Sequence, residues 1–321
     1  MTKRTTSVSA SALTLLGLML AHFTNDFYAN FLPVYLPLLR EKFALSLTLV
    51  GLLSSTFTTA ASFLQLLFGV IADRVPRWNF ALLGPLLTGA FMSSVGILPD
   101  YSYILGALLL AALGTAMFHP QATALSGRLF ASRRGLYVSL FIGAGMLGFS
   151  LGPALMALAL HRWGLEASLW ALLPLGALGL GLWPLIRGLP EPTRAAAPTA
   201  LQLDSSANSA PNPGPKALAV LWGLVVLRHA VILSFLTFLV ILLQGRGYGY
   251  LAGSLSLVGF LLVSAPAGLL GGHLSDRLGR WGVTIWSLWL GFSALLGFLM
   301  TRDARSLALL LLGGGLLSAS N

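Results

Sequence analysis

Long apolar runs separated by short polar breaks dominate the chain. A membrane span needs roughly 20 predominantly apolar residues, and runs of that kind fall near 11 to 39, 47 to 72, 79 to 98, 102 to 126, 135 to 160 and 168 to 187. Residues 188–216 are rich in Pro, Ala, Ser and Asn and lack apolar periodicity, which reads as a solvated, flexible linker. Beyond it, runs recur near 217 to 244, 249 to 274 and 282 to 301, and a last one from Leu307 to the end at Asn321 is short for a crossing. The pattern predicts an all-α polytopic membrane protein: a six-helix bundle at 1–187, a cytoplasmic linker at 188–216 and an incomplete second bundle at 217–321.

Composition agrees. The 321 residues are 56% hydrophobic and 9% charged, with a mean hydropathy of +0.85, whereas soluble domains carry about 25% charged residues. The net charge of +10 does not point to nucleic acid, because nearly every basic residue sits in a break between apolar runs. Those residues set topology instead. With the N-terminus inside, Lys3, Arg4, Arg74, Arg77, Arg128, Arg133, Arg134, Arg187, Arg194, Lys216, Arg277 and Arg280 fall on the cytoplasmic face. They outnumber Arg40, Lys42, Arg162, Arg246, Arg302 and Arg305 outside. The expected location is the cell inner membrane, multi-pass, with a cytoplasmic N-terminus. Lys3 and Arg4 before Leu13 to Leu20 look like a signal peptide, but no small-residue cleavage site follows, so this segment reads as a retained helix.

Candidate chemistry is sparse. Cysteine is absent, which excludes disulfides and thiolate metal sites; the five His lack metal-ligand spacing. No P-loop and no nucleophile-base pattern appears, so neither an enzyme nor a cofactor is expected. What stands out is the stretch "AHFTNDFYANFLPVYLPLL", which puts His22, Asn25 and Asp26 inside the first span. A carboxylate there costs several kcal/mol unless it faces a polar cavity or takes up a proton. Asp26 therefore fits a proton carrier. His22, four residues earlier, shares its helix face, and Asn25 adds an amide beside them. The plainer alternative is interhelical glue.

In the fourth span His119 precedes Pro120, which frees a carbonyl one turn back. The imidazole either binds substrate and relays protons or satisfies that carbonyl at a kink. Arg228, in the seventh span, is the one basic residue not assignable to a loop. It suits an anionic partner such as a phosphonate, or Asp26, or else it snorkels to the cytoplasmic face. Gln65, in the second span, is a substrate ligand or a helix-helix contact.

A repeat organises the whole. "GVIADRVPRW", from Gly69, and "GHLSDRLGRW", from Gly272, share Gly, Asp, Arg, Arg and Trp at one offset, each after the second span of its half. Duplicated halves are a transporter signature, with the substrate site between them near the midplane.

The G-x-x-x-D-R-x-x-R pattern, present twice on the cytoplasmic side and flanking a central linker, resembles the major facilitator superfamily. Within it, "HFTNDFYANFLPVYLPLL" and "LGTAMFHPQATALSGR" resemble the fosmidomycin-resistance group of efflux permeases. The resemblance implies a proton-coupled, alternating-access exporter, monomeric, with a small-molecule substrate and protons as partners. It implies that Gly69, Asp73, Arg74, Arg77 and Gly272, Asp276, Arg277, Arg280 form a conformational switch, where plain positive-inside anchoring is the alternative. On this reading the two glycines sit at close helix approaches, while Pro76 stands where the second copy has Gly279. Gly148, Gly152 and Pro153 resemble the glycine-proline motif of exporters of this family. Leu110 occupies the position where many drug-proton exporters carry Arg. Family members have twelve spans, so a frame truncated in its second half is expected. Rival readings are an importer of a sugar or organic acid, and a membrane remnant that does not transport.

Overall fold

In the computed structural model, residues 2–74, 80–128, 134–186, 214–303 and 305–319 are described. The first apolar run is not one helix. Helix α1 (Thr2–Ala29) stops, and α2 (Leu32–Lys42) restarts with Pro33 in its first turn, where a missing N–H leaves no bond unmade. The side-chain amide of Asn30 at the break donates to the Asp26 carbonyl at 3.1 Å, which also accepts from the Asn30 backbone N–H at 3.3 Å.

The remaining runs fold as expected: α3 (Leu47–Arg74), α4 (Phe80–Ser94), α5 (Tyr101–Arg128), α6 (Arg134–Trp163), α7 (Leu172–Ile186), α8 (Pro215–Gly245), α9 (Tyr250–Leu278), α10 (Arg280–Met300) and α11 (Arg305–Ala319). The sixth run opens as a 3-10 helix, Leu165–Ala171, before α7 begins, and α8 takes in Pro215 and Lys216 from the expected linker. Residues 188–213 of that linker lie outside the described residues.

Among the described residues, seven helices are long and apolar enough to cross a membrane: α3, α4 with the 3-10 turn that follows it, α5, α6, α8, α9 and α10. Helices α7 and α11 have 15 residues each, and α7 continues directly from the 3-10 segment Leu165–Ala171.

Packing follows small residues. Helix α1 lies against α4, α5 and α6, α4 lies along α5, and α3 lies on α5. A Cβ at Gly148 or Gly152 of α6 would strike the backbone carbonyls of Phe23 and Phe27 of α1. Gly84 and Gly114 let α4 and α5 touch backbone to backbone; a Cβ at Gly114 would stand 2.6 Å from the Gly84 carbonyl oxygen. In lipid, where burying apolar surface gives no drive between helices, such close van der Waals contact is a main source of association. The second half repeats the device: a Cβ at Gly271 of α9 would meet the Ala319 carbonyl of α11.

The two halves meet where α6 packs on α9 and α8 on α2 and α3. Their hydrogen bonds across this junction, among the described residues, run from Thr237 to Ser54 at 2.7 Å and from the Tyr250 hydroxyl to the Val34 carbonyl at 2.9 Å. Both lie at the end of the molecule that holds α2 and the last turns of α6 and α8. The first two-thirds of α8 has no buried residue; burial begins at Thr237.

Candidate functional site

Helix α1 brings His22, Asn25 and Asp26 to the face that meets α4, α5 and α6, since residues three and four apart share a face. His22 Nε2 lies 3.2 Å from Asp26 Oδ2. From α5, His119 Nε2 lies 3.5 Å from the other carboxylate oxygen, Oδ1. Asn25 Nδ2 donates to that same Oδ1 at 3.0 Å and stands 3.4 Å from His119 Nε2. Three of the residues singled out in the sequence thus surround the fourth, Asp26.

The His22 ring is fixed on both sides. It stacks on Phe141 of α6 with ring centroids 4.2 Å apart, and its Nδ1 sits 2.9 Å from the Phe141 carbonyl. A carbonyl only accepts, so Nδ1 carries a hydrogen. Nε2 then meets the carboxylate as one acceptor meets another unless a proton lies between them. The pair has a place for one proton, shared as imidazolium and carboxylate or as imidazole and carboxylic acid. Room for this arrangement comes from Gly145 of α6: a Cβ there would lie 2.5 Å from the His22 ring and 2.8 Å from Asp26 Oδ2.

Burial is uneven. Asn25 is wholly buried, while the Asp26 and His119 side chains keep 17% and 25% of their surface exposed. The ligand atoms of the two imidazoles and the carboxylate all lie within 4.8 Å of one another. Here each imidazole faces the carboxylate, His22 at 3.2 Å and His119 at 3.5 Å, an arrangement suited to a mobile proton.

Sequence reasoning missed Thr88 of α4 and Thr115 of α5. The Thr88 hydroxyl reaches Asn25 Oδ1 at 3.1 Å, Thr115 Oγ1 at 3.2 Å and the Ala111 carbonyl at 3.3 Å. Isolated threonines in apolar spans carry no local signal; only packing of α1, α4 and α5 reveals them.

The other expected residues lie elsewhere. Gln65 is exposed on α3, and Arg228 is half-buried on α8. A cleft of about 570 Å³ between α2 and α8, lined by Arg40, Glu41 and Gln244 among others, lies at the junction of the halves, away from Asp26. Arg77 lies outside the described residues, and of Asp73 and Arg74 only the backbone is described. Asp276, Arg277 and Arg280 are exposed. Gly279 ends α9 with φ of 89°, a left-handed conformation that glycine adopts without strain. The close approach expected at Gly69 and Gly272 is not found in this conformation, since a Cβ at either would meet nothing within 4 Å; the tight contact falls at Gly271.

Comparison with known proteins agrees with this architecture. Over 306 residues the chain is 28% identical to the fosmidomycin resistance protein of Escherichia coli (strain K12), covering 89% of this chain and 70% of that protein. Over 153 residues it is 27% identical to the uncharacterized MFS-type transporter YfnC of Bacillus subtilis (strain 168), covering 47% of this chain and 37% of that one. Its fold superimposes on a bacterial homolog of the human lysosomal transporter Spinster in an inward-facing, unoccupied conformation. That match has a TM-score of 0.72 and 16% identity, and covers 97% of this chain and 73% of the other. It also superimposes on the nucleoside transporter NupG (D323A mutant), with a TM-score of 0.71, 16% identity and coverage of 96% and 79%. The family model of the Major Facilitator Superfamily matches residues 18–320. This multi-pass membrane protein, a transporter by family and no enzyme, therefore belongs to the major facilitator superfamily.

Proposed function

We propose that the protein is a proton-coupled exporter of small anionic molecules, working as a monomer in the cell inner membrane by alternating access, with its N-terminus and the linker at 188–216 in the cytoplasm. Asp26 is the proton carrier, His22 and His119 are its exchange partners, and Arg228 and Gln65 face the cargo from α8 and α3. The motif residues Gly69, Asp73, Arg74, Arg77, Gly272, Asp276, Arg277 and Arg280 work the cytoplasmic switch. The carrying observation is the 3.2 Å approach of His22 Nε2 to Asp26 Oδ2 while Nδ1 faces the Phe141 carbonyl. It gives a proton a defined resting place on a carboxylate that stays partly exposed.

Fosmidomycin is the first candidate cargo, on the strength of the Escherichia coli relative's name. It is a phosphonate, the kind of anion a guanidinium such as Arg228 binds through paired hydrogen bonds.

The test is fosmidomycin susceptibility of cells expressing the protein, with and without Asp26→Asn. The variant is expected to reach the membrane and to confer no resistance. Unchanged resistance with unchanged pH dependence would remove Asp26 from the mechanism. Uptake of labelled fosmidomycin into inverted vesicles under an imposed pH gradient fixes the direction, since export from cells appears as accumulation in such vesicles.

A further inference from the structure

Asn25 and Thr88 are both fully buried, so no water substitutes for the bonds they make to each other. An amide offers one acceptor oxygen and two N–H hydrogens. A carboxylate only accepts, so the amide nitrogen faces Asp26 Oδ1, 3.0 Å away, and its second hydrogen points to His119 Nε2 at 3.4 Å. The amide oxygen then faces Thr88 and needs a hydrogen from it, across 3.1 Å. The Ala111 carbonyl also lies within reach of the Thr88 hydroxyl, at 3.3 Å, but the Asn25 oxygen is nearer; with its single hydrogen given to Asn25, Thr88 accepts from Thr115 at 3.2 Å. Donation thus runs one way, from Thr115 through Thr88 and Asn25 to Asp26. Bonds in such a chain strengthen one another where the dielectric is low.

We propose that Thr88 is a positioning residue for the proton site: its hydroxyl, held on Asn25 Oδ1, keeps the Asn25 N–H on Asp26 Oδ1 and so favours the ionised carboxylate. This rests on the reading of Asp26 as the proton carrier. Hydrogen bonds donated to a carboxylate stabilise its charged form. They also occupy Oδ1, which leaves Oδ2, beside His22, as the oxygen that takes up the proton. The titratable groups facing Asp26 are His22 from its own helix and His119 from α5. Helices α4 and α6 present Thr88, Phe141 and Gly145 to the cluster, none of which titrates.

Infrared titration of the purified protein in liposomes tests this without any substrate. The carbonyl stretch of protonated Asp26 is assigned by its loss in Asp26→Asn. Thr88→Val keeps the side-chain volume and removes the hydroxyl, so a purely packing role leaves the titration midpoint where it is. Loss of the donated chain instead moves the midpoint upward by about 0.5 to 1 in pH, the scale of part of one charge-assisted hydrogen bond. Thr88→Ser restores it. A Thr88→Val midpoint coinciding with wild type overturns the proposal and leaves Asp26 as carrier untouched. Absence of any Asp26-dependent band titrating in the wild type overturns the carrier reading, and this proposal with it. If Thr88→Val does not insert into the membrane, Thr88→Cys, whose S–H is a weak donor, must show the same upward movement, and coincidence with wild type again overturns the assignment.

Discussion

Gly145 on α6 stands so close to the His22–Asp26 pair that a methyl group in its place would lie 2.5 Å from His22 Nε2 and 2.8 Å from Asp26 Oδ2. The imidazole has little room to retreat, being stacked on Phe141 with Nδ1 at the Phe141 carbonyl. Gly145→Ala is therefore expected to push the ring off the carboxylate while the protein still inserts. Overpacking of this kind costs about 1 to 3 kcal/mol. Transport driven by a pH gradient should fall at least about tenfold, the equivalent of roughly 1.4 kcal/mol of lost interaction. Vesicle transport compared with a thermal melt of the purified protein separates the two effects, and normal coupling in Gly145→Ala would show that the pair is not used.

The glycines sort into two groups whose substitution should behave oppositely. At Gly114 and Gly152 an added Cβ meets backbone, the Gly84 carbonyl in one case and the Phe27 carbonyl in the other, and backbone cannot swing aside. Alanine at either position is expected to lower the melting temperature by several degrees, in line with about 1 to 3 kcal/mol of overpacking. At Gly69 and Gly272 nothing lies within 4 Å. Alanine there should leave stability unchanged or raise it by up to about 1 kcal/mol, because glycine in a helix interior is the worse choice. Thermal shift assays on the four single variants decide the matter, and a large loss at Gly69 or Gly272 would contradict the open surroundings described above.

Much of this was legible in the sequence because hydropathy, spacing and repetition are local properties. His22 and Asp26 sit one turn apart, so their shared face follows from helix geometry alone. His119 stood out because an imidazole next to proline is unusual in an apolar run. Other features depend on which helices touch. Thr88 and Thr115 gain meaning only when α1 packs on α4 and α5, and Gly145 matters only because His22 arrives opposite it. Gly148 and Gly152 carry the resemblance to the exporter motif, but Gly145 lies on the same helix face, three residues before Gly148, and its neighbour is chemistry and not just backbone. The break between α1 and α2 was hidden by an unbroken apolar run; Pro33, which opens α2, was its signal. Hydropathy does not register helix ends when the break itself stays buried, as Phe31 is.

Thr237 on α8 and Ser54 on α3 join the two halves by a 2.7 Å hydrogen bond, with Tyr250 and Val34 bonded 2.9 Å apart at the same end. The alternating-access cycle proposed above has to break both. Polar bonds between membrane helices average about 0.6 kcal/mol, so removing one tilts a two-state balance by roughly threefold without unfolding either half. Thr237→Val and Tyr250→Phe should therefore each raise the population open at this end, and the double variant should raise it further. The chain has no cysteine, so a single one introduced at Gly51, whose Cβ would lie 3.3 Å from Phe238 across the junction, reports this opening through its rate of reaction with a membrane-impermeant maleimide. Faster labelling in each latch variant is expected, with the double variant fastest. Equal rates in all four backgrounds would mean that apolar packing between the halves, and not these hydrogen bonds, holds this end shut.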